Sequence, residues 1–160
     1  MSEYKSEVKT VFAPQQRVFD KLSNLNNLSV VQQLTENPDM RQRFEEQMEG
    51  KVSVQQLDTI VEKIKTLQFD QDSVTTDAGM MGNITLRIIE REEPKCVKFA
   101  LEGAPLQANL WVQLLPASEE QSAMRITLRA DLNFFLKQML GNKLQEGVNG
   151  LAQMLASIPY

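Results

Sequence analysis

From residue 67 to residue 132 the chain alternates between apolar and polar residues, stretch after stretch. Leu67 and Phe69 alternate with Gln68 and Asp70, and Ile84, Leu86 and Ile88 with Thr85 and Arg87. Val97, Phe99 and Leu101 face away from Lys98 and Glu102; Leu106, Ala108, Leu110, Val112 and Leu114 away from Gln107, Asn109, Trp111 and Gln113; Met124, Ile126, Leu128, Ala130 and Leu132 away from Arg125, Thr127, Arg129 and Asp131. This period of two is interrupted at Gln71-Asp72, Glu92-Glu93-Pro94 and Gly103-Ala104-Pro105. Consecutive antiparallel strands with one apolar and one wet face produce such a pattern. The period then changes. Leu140, Leu144, Val148, Leu151, Leu155 and Ile158 recur at four, four, three, four and three residues, with Asn133 as a cap, which predicts one long helix carrying a single apolar stripe. A sheet with one apolar face and a helix with one apolar stripe satisfy each other by packing together.

The segment before the sheet adds one strand and several helices. Residues 3–12 alternate, placing Tyr4, Ser6, Val8, Thr10 and Phe12 on one predicted face and Lys5, Glu7 and Lys9 on the other. Ala13-Pro14 opens a helix, with Pro14 suited to its first position, and Val18, Phe19 and Leu22 form its apolar side. Ser23-Asn24 interrupts it before a second short helical stretch with Leu25, Leu28 and Val31. Residues 35–65 then read as helical without any strand signal: Asn37-Pro38-Asp39 is a start signal, and Leu57, Ile60, Val61 and Ile64 form one face. The whole chain, residues 1–160, reads as a single domain of the α+β class.

Composition excludes several chemistries. The chain has no His, which removes imidazole acid–base catalysis, Ser-His and Cys-His nucleophile pairs and His-based metal sites. Its single cysteine, Cys96, excludes an intramolecular disulfide and suits a reducing, cytoplasmic location. Met1-Ser2-Glu3-Tyr4-Lys5 has no secretory pattern, and no apolar run approaches the ~20 residues of a membrane span. Net charge is −4, with no basic tract or stacking platform for nucleic acid.

Strand, two short helices, six strands and one long helix is an order that resembles the START-like or SRPBCC helix-grip superfamily of lipid-transfer and polyketide cyclase/dehydrase domains. The residues that carry the resemblance are Glu7-Val8-Lys9-Thr10 running into Ala13-Pro14 and Val18-Phe19, then Leu22-Ser23-Asn24-Leu25-Asn26-Asn27-Leu28. Further on they are Ile89-Glu90-Arg91-Glu92-Glu93-Pro94 and the closing Leu144-Gln145-Glu146-Gly147. The chain looks most like the short bacterial members. The resemblance implies a curved seven-stranded antiparallel sheet wrapped around the C-terminal helix, with a ligand space between them. Residues 35–65 exceed the usual link to the second strand and would serve as a lid.

Strand parity assigns the lining of that space to Tyr4, Phe12, Phe69, Leu86, Ile88, Phe99, Leu110, Val112, Ile126 and Leu128, with Leu140, Leu144 and Val148 from the helix. Met80, Met81, Met124 and Met139 supply adaptable apolar surface, and Gly141, Gly147 and Gly150 leave room on the helix or let it approach the sheet. The expected ligand is a small hydrophobic molecule, lipid or polyketide-like, and the expected role that of a carrier or sensor. No catalytic residue, metal ligand or cofactor is assigned. A solid core with no cavity is the plain alternative. A second functional reading is a protein-interaction module, chaperone cofactor or homodimer. It would use the convex face, where Trp111 is surrounded by Lys5, Lys9, Arg87, Arg91, Lys98, Arg125 and Arg129 against Glu7, Glu102 and Asp131. A third is a cyclase or dehydrase, which would require the inward polar candidates, among them Tyr4, Ser6, Thr10, Thr76 and Glu90, to include a working pair.

Overall fold

A computed structural model describes residues 2–29, 32, 36–39, 42, 45, 46, 62, 64–77, 82–104, 106–156, 158 and 160, except the side chain of Leu140. Eight strands form one antiparallel sheet: β1 (Ser2–Lys5), β2 (Lys9–Val11), β3 (Gln68–Phe69), β4 (Ser73–Asp77), β5 (Asn83–Glu92), β6 (Cys96–Glu102), β7 (Ala108–Pro116) and β8 (Ser122–Ala130). Their order is β1-β8-β7-β6-β5-β4-β3, with β2 also on β8. β1 and β2 are thus one interrupted edge strand, and the sheet is the expected seven strands wide. Helix α1 (Gln15–Leu22) and a 3-10 helix (Leu25–Ser29) follow β2, and helix α2 (Phe134–Ala156) closes the chain. This is a helix-grip architecture. The described positions within 35–65 are consistent with helix, Gln42, Glu45, Glu46, Glu62, Ile64 and Lys65 among them. The other positions assigned to that helical face, Leu57, Ile60 and Val61, lie outside the described residues, as do Met80 and Met81.

Local chemistry explains the element ends. The Asn133 side chain accepts the Leu136 amide at 2.8 Å and caps α2. Asp70 accepts the amides of Asp72 and Ser73 and the Ser73 hydroxyl, which turns β3 into β4. These bonds, the Ser73 hydroxyl first, hold the Asp70 carboxyl below its ordinary value. Pro14 sits one residue earlier than expected: it is the cap of α1, extended at ψ 148°, and Gln15 begins the helix.

Two β-bulges overturn part of the parity assignment. Tyr4 pairs with Leu128, but Lys9 pairs with Met124, so the edge strand spends one residue more than its partner between them. The Ser6 amide still donates to Ile126 O at 2.8 Å. The Ser6 hydroxyl accepts the Ile126 amide at 2.9 Å, the position a main-chain carbonyl would fill in an unbroken ladder. Beyond the bulge every side chain changes face. Val11 is buried, Lys9 points to the concave side opposite Met124, and Val8, Thr10 and Phe12 are exposed, Phe12 to 79%. Phe12 and Thr10 therefore do not line the inner face. The second bulge lies in β5, where Ile88 pairs with Phe99 and Glu90 with Lys98, leaving Ile89 unpaired and exposed. Glu90 consequently lies on the convex side and Arg91, opposite the buried Val97, on the concave side, the reverse of the expectation for both.

Candidate functional site

The concave face divides into two ends. At one end α1 lays Val18, Phe19 and Leu22 against β6 and β7, with Leu25 beside them, all at most 4% exposed. Beneath them Val97, Val112, Leu114, Met124 and Ile126 are sealed, and Val148, Ala152 and Leu155 from the last turns of α2 complete that packing. Each large side chain closed off there contributes about 1.5–3 kcal/mol relative to exposure. Polar bonds pin the cover. Gln15 donates to Leu114 O at 3.0 Å, the buried Ser122 hydroxyl to Ala13 O at 2.9 Å, and Arg91 to both Ser23 O and Asp72. Arg91 is in this position only because the β5 bulge turned it inward.

The other end is less covered. Tyr4, Leu128, Leu86, Val74 and Phe69 face inward and pack on the core, yet all are half-buried. Ile84, Leu101, Leu136 and Leu144 are half-buried too and stand outside the core cluster. Leu110, Phe99 and Ile88 join the two ends and are 5–6% exposed. The first turns of α2 reach Tyr4 at Gly141 and carry Phe134, Phe135 and Met139 exposed.

β1 positions α2. Gln145 donates to Lys5 O at 2.8 Å and Asn149 accepts the Glu7 amide at 3.0 Å. One turn earlier on that side of the helix, a methyl group added at Gly141 would meet the Tyr4 hydroxyl at 3.4 Å. The hydroxyl is fully buried and has no hydrogen-bond partner. The other tyrosine, Tyr160, is half-buried, and desolvation of its phenol pushes the pKa up, but its hydroxyl donates to Leu155 O at 2.7 Å.

Of the thirteen residues assigned to the lining, Ile88, Phe99, Leu110, Val112, Ile126 and Val148 are core; Tyr4, Phe69, Leu86, Leu128 and Leu144 are half-buried; and Phe12 is outside. The Leu140 side chain lies outside the described residues. Val112 and Ile126 belong to the sealed end and border no open surface. The glycines also divide. Gly141 meets Tyr4, but an added methyl at Gly147 or Gly150 meets nothing within 4 Å, so close approach to the sheet explains neither. Met124 is core and Met139 points outward. Gln145 and Asn149 were given no role from the sequence, and Arg91 was placed on the convex face. Gln145 and Asn149 are spaced at four from Gly141, a polar line beside an apolar stripe, and that spacing was the available signal.

On the convex face Trp111 is half-buried under Lys98 and Arg129, whose charged groups lie 5.1 and 5.7 Å from the ring centre. Glu3 lies 3.6 Å from both Lys5 and Arg129, and Glu102 bonds Arg87 at 2.8 Å. With Lys9 and Arg91 turned inward and Glu90 turned outward, this face is far less basic than parity implied. Cys96, opposite Gln113, lies on this face. Burial, with Glu92 and Glu90 nearby, pushes its thiol up to about 11, which removes it as a nucleophile at neutral pH. Tyr4 and Glu90 occupy opposite faces of the sheet and cannot form an acid–base pair. Among the described residues, no group of three or more Cys, Asp or Glu could hold a metal ion, and no helix is long and apolar enough to cross a membrane.

The fold is that of START/SRPBCC-like helix-grip proteins. A protein from Thermobifida fusca is 14% identical, with 98% of this chain and 91% of that chain covered at a TM-score of 0.56. Norcoclaurine synthase from Thalictrum flavum is 8% identical, covered at 97% and 84%, with a TM-score of 0.58. A conserved protein from Geobacillus kaustophilus is 15% identical, covered at 96% and 93%, with a TM-score of 0.53. No family model matches the sequence, and no curated protein matches it.

Proposed function

We propose that the protein is a carrier or sensor, acting in the cytoplasm, for a small hydrophobic molecule of lipid or polyketide type. The molecule would be held between the sheet and the first half of α2. The observation that carries this reading is a set of inward-facing, largely apolar side chains, Tyr4, Leu128, Leu86, Val74 and Phe69, left half-buried while Val97, Val112, Leu114, Met124 and Ile126 are sealed. Apolar surface of that kind gives affinity by burial against a ligand, with few polar contacts to orient it. A neighbour of the same fold, norcoclaurine synthase, has been solved in complex with dopamine and hydroxybenzaldehyde. Residues 35–65 would cover the ligand. A non-catalytic role is favoured because, among the described residues, the Tyr4 hydroxyl has no acid or base partner.

Native mass spectrometry of the purified protein, followed by organic extraction, tests the proposal. The expected result is a non-covalent adduct that extraction removes, or stoichiometric uptake of added 2-naphthol by the stripped protein. A protein that carries no adduct and takes up no apolar probe would contradict it.

A further inference from the structure

The Tyr4 hydroxyl is the one buried side-chain polar atom among the described residues without a partner. Such a group leaves its desolvation cost uncompensated, and in native proteins an orphan of this kind calls for a specific explanation. The chain solves the same problem elsewhere: the Tyr160 hydroxyl reaches Leu155 O at the sealed end, and the Ser6 and Ser122 hydroxyls find main-chain partners. Only the hydroxyl at the less covered end is left without one.

Its surroundings fit an incoming oxygen atom. It points at Gly141, the α2 position where the absence of a side chain leaves the phenol an ordinary contact distance from an added methyl. Directly across from Tyr4 lies Leu128, and the same inward row continues through Leu110, Phe99 and Ile88, an apolar track leading away from the hydroxyl. The bonds that tie α2 to β1 begin one turn later, at Gln145 and Asn149, so the turns over Tyr4 can yield without breaking them.

Building on the proposed function, we infer that Tyr4 is the polar anchor of the site and that the ligand class is an apolar molecule with a hydrogen-bonding oxygen at one end, a hydroxyl or a carbonyl. The oxygen pairs with Tyr4 Oη beside Gly141 and the apolar body lies along Leu128, Leu110 and Phe99. The hydroxyl is shut from solvent without ligand, so the first two turns of α2 shift to admit the oxygen. A hydrogen bond formed there discriminates by about tenfold against a ligand of equal size that lacks the oxygen.

Binding of 2-naphthol and of 2-methylnaphthalene is measured with the wild type and with Tyr4→Phe, alongside the urea stability of both proteins. The expected result is a loss of about tenfold for 2-naphthol in Tyr4→Phe, an affinity for 2-methylnaphthalene that changes by less than about twofold, and undiminished stability in the absence of ligand. Equal changes for the two probes, or no change for either, would overturn the anchor while leaving the hydrophobic site standing. A clear loss of stability in Tyr4→Phe would show that the hydroxyl already has a protein partner, and would overturn it as well. Failure of both probes to bind the wild type would overturn the proposed function and the anchor together.

Discussion

The two ends of the concave face are built from the same material and treated differently. Ile126 and Leu128 are neighbours on one face of β8, two residues apart, yet Ile126 is 0% exposed while Leu128 is half-buried. The difference lies in what covers them. Ile126 lies in the core cluster with Val148 and Ala152 of the later turns of α2 and with Val18, Phe19 and Leu22 of α1. Leu128 is under the first turns of α2, whose largest side chains, Phe134, Phe135 and Met139, point away from the sheet. One end therefore has the density of a finished core, and the other keeps apolar surface for which the described residues supply no complete cover. On the proposed function, stability and binding fall to different ends of one sheet.

This division can be broken by mutation. The largest effect is expected from Ile126→Ala, which removes a sealed side chain and leaves a cavity; urea denaturation should show a loss of about 2–5 kcal/mol. Leu144→Ala, on the less covered side, should cost about 1 kcal/mol or less, because a half-buried side chain outside the core cluster gives up fewer contacts. Equal costs at the two sites would erase the distinction. Arg91→Ala should cost about 1 kcal/mol, an exposed ion pair counting for little and the bonds to Ser23 O for most of it. That loss should fall on the α1 end and leave probe binding unchanged. The smallest effect is a gain: Gly147→Ala should raise stability by about 0.4–1 kcal/mol, since the added methyl meets nothing and the unfolded chain loses freedom. A loss there would mean that α2 lies closer to other parts of the chain than its contacts show.

The sequence carried the architecture because alternation and helical stripe are strong, repeated signals. β6, β7 and β8 run without interruption, and every inward residue read from them is inward in the structure. Parity failed where a single extra residue entered a strand. Nothing in Ser6-Glu7-Val8 or Ile88-Ile89-Glu90 announces a bulge, because the cause is main-chain pairing with β8 and β6 and not the identity of the bulged residue. Two one-residue shifts accounted for Phe12, Thr10, Glu90, Lys9 and Arg91 together. The site was legible only in outline. Which inward residues end up sealed depends on where α1 and the two halves of α2 lie, and periodicity reports the face of a residue, not the neighbour that covers it. The orphan hydroxyl of Tyr4 was beyond reach for the same reason. The sequence shows a tyrosine on an inward parity, but the absence of a partner is a property of the packed structure.

The central claim is that ligand occupies the less covered end and spares the sealed one. A methyl-labelled NMR titration with 2-naphthol tests it most directly, because the two ends carry separate reporters on adjacent strands. The expected result is saturable shifts at the methyl groups of Leu86, Leu128 and Leu144, with those of Val97, Val112 and Ile126 nearly stationary. Shifts centred on the sealed row, or confined to residues around Trp111 on the convex face, would contradict the account.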